Sequence, residues 1–469
     1  KDGKLVKVEG DPNSPVTDGR LCMRCLAMVE AVYHPDRIVH PMKRDRSDRG
    51  KDKWVQITMD EAYAIIAEKA REVTEEYGPK SIVTGIGTGR NATWQTSSLA
   101  FAGFRTPNDT AGMLSGDCCY TPRLQAMNAI FGSDFIADCA QLSAERFDDP
   151  EYRRPDVILN WACNPVVSNA DGFFGHWIID CMQHGSKLFV VDPRVTWMAA
   201  HADIFLQLRP GTDAAVALGI CNIMIQEKLY DQEFCDKWVY GLEAVCERVA
   251  EMDLAELCER AWVSVEDVQR VARTYAAAKP AAIQWGVALD QQTGGQQAAH
   301  AVTALWCITG NLDVPGGNIV ADLSMPEDLT GDAAAGQSAH NTDTRAFITE
   351  GWYQMTDEER DRCIGMDKYP LYCNQITGAQ ADCVLDTLET DEPYPIRMVW
   401  MTSTNPIANM GADAPRIYRA VKTLDFVVVN DLFLTPTAVA FADIFLPAAM
   451  SPERDSQRVW WVPLRGMRK

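Results

Sequence analysis

Two stretches decide the fold of this chain: VILNWACNPVVSN at residues 157–169 and MVWMTSTNPIANM at 398–410. Each is a largely apolar run of strand length that ends in a polar turn closed by Asn-Pro. Each is followed by a second apolar run ending in an acid, VVDPR at 190–194 and VVVND at 427–431. Each then reaches the same pentapeptide, ADIFL, at 202–206 and again at 442–446. The interval is 38 residues from Asn164 to Ala202 and 37 from Asn405 to Ala442. Three features in register make an internal repeat, so the chain holds two pseudo-equivalent units.

Working outward, the same kind of segment recurs. KSIVTGIG (80–87), KLFVVDP (187–193), AAIQWG (281–286) and DFVVVND (425–431) are continuous apolar runs rather than alternating ones. That pattern predicts parallel strands buried on both faces. Amphipathic helices lie between them. Thr58 and Glu61 have capping-box spacing, Ser264 opens SVEDVQRVARTYAAAKP, and Thr212 is the expected N-cap within PGTDAAVALGICNIMIQEKLYD. Alternation at this spacing gives an α/β fold of doubly wound, mainly parallel sheets.

Composition excludes some classes. Lys and Arg number 44 against 65 Asp and Glu, a net charge of −21. Such a surface repels nucleic acid and anionic lipid, so no nucleic-acid partner is expected. No apolar run reaches the roughly eighteen residues of a membrane span. The fifteen cysteines are scattered, unlike the compact framework of a small secreted domain, and most read as reduced core residues. The chain starts without an initiator methionine and stops after a strand-like run, so it reads as a fragment.

In open α/β sheets ligands sit at the carboxyl ends of strands. The repeat places polar residues there twice: Asn164, Asp192 and Arg194, then Thr402, Asn405, Asn430 and Asp431. An aspartate at a strand end can accept two hydrogen bonds from a guanine edge, and an arginine beside it can stack on a base or reach a phosphate. RPGTDAA (209–215) adds Gly211 in a turn and Asp213 at a helix start. Read singly, each motif is an ordinary turn; the repeated set points to paired nucleotide sites. GIGTGR (85–90) departs from the dinucleotide fingerprint, because Arg90 stands at the third glycine, and reads as a glycine-rich turn. SGDCCYTPR (115–123) sets Cys118 and Cys119 between a turn and an apolar run. They can be buried small hydrophobes, a disulfide, or ligands of a soft metal. Cys22 and Cys25 form C-x-x-C without a second pair at zinc spacing.

With these residues assembled, the chain resembles the molybdopterin oxidoreductase (dimethyl sulfoxide reductase) superfamily. The resemblance rests on GRLCMR (19–24), YHPDRIVHPMKR (33–44), both Asn-Pro loops, DPRVT (192–196), LRPGTDAA (208–215), GNLDVPGG (310–317) and ADIFLPAAMSPER (442–454). FRTPND, CCYTPR and SNADGFFGHW are similar to a subgroup holding acetylene hydratase and the catechol dehydroxylases. The resemblance implies bis-molybdopterin guanine dinucleotide with Mo or W, and a 4Fe-4S cluster whose remaining ligands lie upstream. It implies Cys119 as the metal ligand, with Cys118 one residue out of register, and Cys22 as a cluster ligand. It implies Arg24, where many members carry lysine, between cluster and pterin. Tyr120, Arg123 and His176 are then the candidates for proton donation and substrate binding.

The implied layout is a remnant of a small β-rich iron-sulfur domain at 1–55, one α/β domain at 56–133 and 322–469, another at 134–321, and a missing C-terminal domain. The implied activity is a two-electron reduction, such as dehydroxylation of a catechol-like aromatic. Two alternatives stay open: a non-redox hydratase of the acetylene hydratase type, and a cofactor-free structural electron-transfer subunit. An iron-sulfur electron-transfer subunit is the expected partner. Location stays open between the cytoplasm and Tat export with membrane association through a partner.

Overall fold

The computed structural model describes residues 1–13, 19–87, 93–111, 121–139, 144–148, 150, 152–168, 173–320, 352, 354–409 and 413–454. The chain forms two compact units. One contains residues 1–6 with the described parts of 28–117 and 340–458. The other contains residues 7–27 with the described parts of 118–339.

The second unit is built on a four-stranded parallel sheet in the order β8-β7-β6-β9. These strands are Val157–Trp161 (β6), Lys187–Val191 (β7), Ile204–Leu206 (β8) and Ala281–Trp285 (β9). Successive side chains point to opposite faces. Leu159, Trp161, Phe189 and Val191 enter one core, with the helices Asp213–Gln226 and Gly295–Thr309. Ile158, Leu188 and Val190 enter another, with Trp177 and Ile178 of helix Phe173–Gln183. Both faces are dry, which is why the runs read as continuously apolar.

A two-stranded antiparallel ribbon, Phe135–Ala137 (β5) with Asn318–Val320 (β10), completes this unit. Side chains finish the free edge of β9. Asn311 Oδ1 accepts from the Ala281 N–H at 3.0 Å. Asn318 Oδ1 accepts from the Ile283 N–H at 2.8 Å, and its Nδ2 donates to the Ile283 carbonyl at 3.0 Å.

The first unit carries a seven-stranded sheet, β2-β1-β13-β12-β11-β3-β4. Five neighbouring strands are parallel: Ile82–Ile86 (β3), Asp109–Ala111 (β4), Met398–Thr402 (β11), Phe426–Asp431 (β12) and Ile444–Pro447 (β13). Met42–Lys43 (β1) and Val55–Gln56 (β2) add antiparallel pairs at one edge. Val83, Val399, Met401, Val427 and Val429 fill one face, and Ile82, Met398 and Val428 the other.

The repeat holds in three dimensions. In both copies the strand after the Asn-Pro loop pairs in one register with ADIFL: Phe189 opposite Ile204, Val428 opposite Ile444. The aspartate of the pentapeptide has a scaffold role in each. Asp203 Oδ2 accepts from the Leu188 N–H at 2.9 Å, and Asp443 Oδ2 from the Val427 N–H at 2.8 Å.

Three expectations need correction. The boundary at 55 falls inside the first sheet, because β1 pairs with β13 and the buried Arg44 guanidinium donates to the carbonyls of Ala438, Val439 and Ala442. The boundary at 133 also moves: Leu124, Ala126 and Met127 of helix Thr121–Phe131 belong to the core of the second unit. Thr212 occupies the N-cap position without capping. Its hydroxyl donates to the Arg209 carbonyl at 2.6 Å across a turn that Gly211 makes at φ 85°. Thr58 and Ser264 do cap their helices, accepting from the N–H of Glu61 at 3.1 Å and of Asp267 at 3.0 Å.

Candidate cofactor-binding loops

Both Asn-Pro loops leave their strands in the same unusual way. Ala162 has φ 53° and Ser403 has φ 49°, the left-handed region that L residues other than glycine seldom adopt. Each is the first residue after its strand, β6 or β11. The Ala162 N–H donates to the Val191 carbonyl and the Ser403 N–H to the Asn430 carbonyl, each at 2.9 Å. On the other side, Gly286 after β9 donates to the Trp161 carbonyl at 2.9 Å, and Gly87 after β3 donates to the Thr402 carbonyl at 3.0 Å. A Cβ on Gly286 would lie 2.1 Å from the Cys163 Cβ, and one on Gly87 would lie 2.1 Å from the Ser403 carbonyl oxygen. Strained residues held by their surroundings concentrate at ligand sites.

In the first loop, Asn160 Nδ2 donates to the Cys163 carbonyl at 2.7 Å, and the Cys163 thiol donates to Asn160 Oδ1 at 3.0 Å. Burial pushes that thiol up to about 12, so it stays protonated. Asn164 Oδ1 is buried and has no protein partner. Asp192, one residue beyond β7, accepts the Arg194 N–H at 2.7 Å; burial raises its carboxyl above the ordinary range. The Arg194 side chain is exposed.

In the second loop the equivalent acid is Asp431, the last residue of β12. Its carboxyl is likewise raised by burial, and it accepts the Leu432 N–H at 2.7 Å. Asn430 is committed elsewhere, its amide donating to the Leu446 carbonyl at 3.1 Å. Asn405 differs from Asn164: its Oδ1 accepts from the Thr437 hydroxyl at 2.7 Å. Met198 stands at the corresponding second position of the short helix Trp197–Ala200 and offers no hydroxyl. Thr402 Oγ1 accepts from Trp400 Nε1 at 2.9 Å. The buried hydroxyl without a protein partner is Thr404, one residue before Asn405.

Two expected site residues turn inward. The Asp213 carboxylate accepts from Trp161 Nε1 and from Gln292 Nε2, each at 2.8 Å, and is buried. Arg123 lies against Asp290, Nε to Oδ2 at 2.8 Å, and donates from Nη1 to the Trp285 carbonyl at 3.0 Å. Their partners are 79 and 167 residues away in sequence, so local reading assigned both to the ligand. His176 is half-buried in helix Phe173–Gln183. Cys118, Cys119 and Tyr120 lie outside the described residues.

Cys22 stands at the start of the short helix Met23–Leu26, its sulfur 3.8 Å from that of Cys25. The Cys25 backbone N–H, and less strongly the Cys25 thiol and Arg24, hold the Cys22 thiol below its ordinary range against the opposing effect of burial. A thiol whose ionisation is eased in this way suits a metal-cluster ligand. Arg24 is exposed beside it.

Ala162, Ser403, Gly286, Thr404 and Asp290 were missed from the sequence as site-forming residues, whereas Gly87 lies in the stretch read as a glycine-rich turn open to a cofactor. Aligning AAIQWG with SIVTGIG on their terminal glycines would have exposed the second pair. The donor set fits a pterin with a nucleotide tail: each unit offers a buried acceptor without a protein partner and a half-desolvated acid at adjacent strand ends. Those groups suit the N–H edges of a pterin or guanine.

Comparison with known proteins agrees. The family described as molybdopterin oxidoreductase matches residues 37–459, and the molybdopterin oxidoreductase Fe4S4 domain matches 1–34. The chain is 28% identical over 473 residues to acetylene hydratase of Syntrophotalea acetylenica, covering 98% of this chain and 61% of that protein. It is 30% identical over 247 residues to dopamine dehydroxylase of Eggerthella lenta, covering 53% of this chain and 23% of that one. The solved acetylene hydratase from Pelobacter acetylenicus superimposes with a TM-score of 0.76 at 26% identity, over 92% of this chain and 58% of that one.

Proposed function

Because the chain belongs to the molybdopterin oxidoreductase family, with a molybdopterin and a 4Fe-4S cluster as its cofactors, we propose that it acts in a molybdenum or tungsten enzyme holding two pterin guanine dinucleotides. The proposed reaction is a two-electron reduction that removes a hydroxyl from a catechol-like aromatic. Two electrons and two protons replace the C–O bond with C–H and release water.

The observation that carries this reading is the doubled loop. In each unit a left-handed non-glycine residue follows a buried strand, and a buried acceptor without a protein partner stands within two residues of it. The similarity to dopamine dehydroxylase supports the choice of an aromatic hydroxyl.

The residues divide the work as follows. Asp192 and Asp431 accept the N–H edge of a guanine each, which relieves carboxyls otherwise raised by burial. Asn164 Oδ1 and Thr404 Oγ1 orient the pterin portion. Arg194 reaches a phosphate, and Gly211 keeps the backbone open to it. Cys119 binds the metal as a thiolate, a donor matched to a soft centre. Tyr120, next to Cys119 in sequence, and His176 are the proposed proton donors. Cys22 would ligate the cluster, and Arg24, two residues on, would stand toward the pterin, as the resemblance implies. When bound, the metal and its dithiolene sulfurs would supply the electron-pair chemistry, and the cluster would supply the electrons. A separate iron-sulfur subunit delivers them.

Hydration of an alkyne without redox change is the second reading, favoured by the similarity to acetylene hydratase over 98% of the chain. Full-length protein decides between them. Reduced viologen consumed in step with loss of an aromatic hydroxyl supports the reductase; alkyne hydration with no reductant consumed supports the hydratase. Cys119→Ala should abolish turnover and lower the metal–sulfur number seen by X-ray absorption. Cys118→Ala should leave both unchanged. The opposite pattern would place the ligand one residue earlier. Asp192→Ala should lower guanine content more than activity per bound metal.

A further inference from the structure

A buried polar layer lies beneath the first Asn-Pro loop, and it joins four element ends distant in sequence. Asp213, the first residue of helix Asp213–Gln226, accepts from Trp161 Nε1 at the end of β6 and from Gln292 Nε2 in the segment after β9. Asp290 of that same segment accepts from the Arg123 N–H at 3.1 Å and from its Nε at 2.8 Å, near the start of helix Thr121–Phe131. Arg123 Nη1 closes the layer on the carbonyl of Trp285, the last residue of β9. The Asp290 side chain is 0% exposed and that of Arg123 12%, so the pair works away from solvent.

The layer bears directly on the loop. Trp161 precedes the left-handed Ala162. Gly286, next after Trp285, donates to the Trp161 carbonyl and packs against Cys163 so closely that a Cβ would overlap it. Any shift of Trp161 or Trp285 therefore moves residues 162–164, which have no slack on the Gly286 side.

We propose that Asp213 and Asp290 are positioning residues: their carboxylates lock the ends of β6 and β9 to two helix starts and so hold Asn164 where it meets the cofactor. This rests on the cofactor reading above. Neither carboxylate is a ligand. A buried carboxylate with two fixed donors has one low-energy placement, whereas a polar group stripped of its partner relaxes toward any available donor. Arg123 is the counter-charge of this lock.

The experiment compares the full-length protein with Asp213→Ala, Asp213→Asn, Asp290→Asn and Gln292→Ala. It reads hydrogen–deuterium exchange at residues 162–168 and guanine released per chain. Wild-type protein stripped of cofactor sets the exchange baseline. Asp213→Ala and Asp290→Asn should exceed that baseline tenfold or more and lose at least half the guanine. Asp213→Asn should restore both, since its oxygen still accepts from Trp161 and its amide donates to a turned Gln292. Gln292→Ala removes one of the two bonds to Asp213, together with the Gln292 amide's bond to the Leu289 carbonyl at 3.1 Å, and should shift both readouts in the same direction by less; it decides the matter if Asp213→Ala does not fold. Loss of guanine with exchange no faster than baseline would make the carboxylates direct ligands and overturn the proposal. Unchanged exchange in Asp213→Ala and Gln292→Ala together would overturn it as well. A wild-type protein that carries no guanine defeats the cofactor reading alone, because exchange still reports on the lock.

Discussion

At the scale of single residues, Asp109 carries the clearest pH dependence in the first unit. Burial pushes its carboxyl up to about 6, although the hydroxyls of Thr84 and Ser97 each donate to it at 2.6 Å. An unfolded aspartate titrates near about 3.9. Between those values the folded state holds the proton that the unfolded state has released, so stability falls as pH rises from about 4 to about 6. The loss is roughly 2–3 kcal/mol, complete above the folded value and absent below the unfolded one. Asp109→Asn mimics the protonated acid. It should raise the melting temperature at pH 7, and that advantage should vanish at pH 4; an equal gap at both pH values would show that the carboxyl is not the source. FRTPND drew attention to Asp109 only as a family mark, because its partners come from β3 and from a helix. Similarly, the strand-end position of Asp192 and Asp431 was legible in VVD and VVND. The choice of Asp431 over Asn430 needed the sheet register.

At the scale of elements, the long parallel strands were legible because burial on both faces leaves few polar residues to interrupt them, Asn160, Gln284 and Thr84 among them. β1, β2 and β10, two or three residues each, carry too few residues for any period to show. The strand-ending glycines were quoted in the sequence without their function being visible, since what they approach lies on another strand. Gly286→Ala would force a Cβ to 2.1 Å from the Cys163 Cβ, against a strand end and a loop that are both fixed. The expected cost is on the order of 2–4 kcal/mol, with a matching loss of cofactor. Ala162→Gly should act oppositely on stability, gaining up to about 1 kcal/mol by relieving the left-handed strain. Denaturant unfolding of both variants tests the pair. A neutral Gly286→Ala would mean that the two strand ends separate easily and the loop is not clamped.

At the scale of the whole molecule, the repeat was readable before any coordinate, and it gave the two units their internal order. The unit boundaries were not, because the residues that move across them do so through single long-range anchors such as Arg44 and Leu124 rather than through a change in composition. Among the described residues no helix is long and apolar enough to cross a membrane. The asparagine side chains laid along β9 have a consequence for the protein's life after folding. An open strand edge invites other chains to add to it, and here the edge N–H and C=O of Ile283, both buried, are already occupied by one amide. Deamidation of Asn318 would replace the donor facing the Ile283 carbonyl with a second acceptor. Asn318→Asp should therefore aggregate faster than wild type on mild heating, as followed by light scattering, while Asn318→Gln should fall between the two. Slow chemistry on this one side chain would then reopen a strand edge that the fold had sealed.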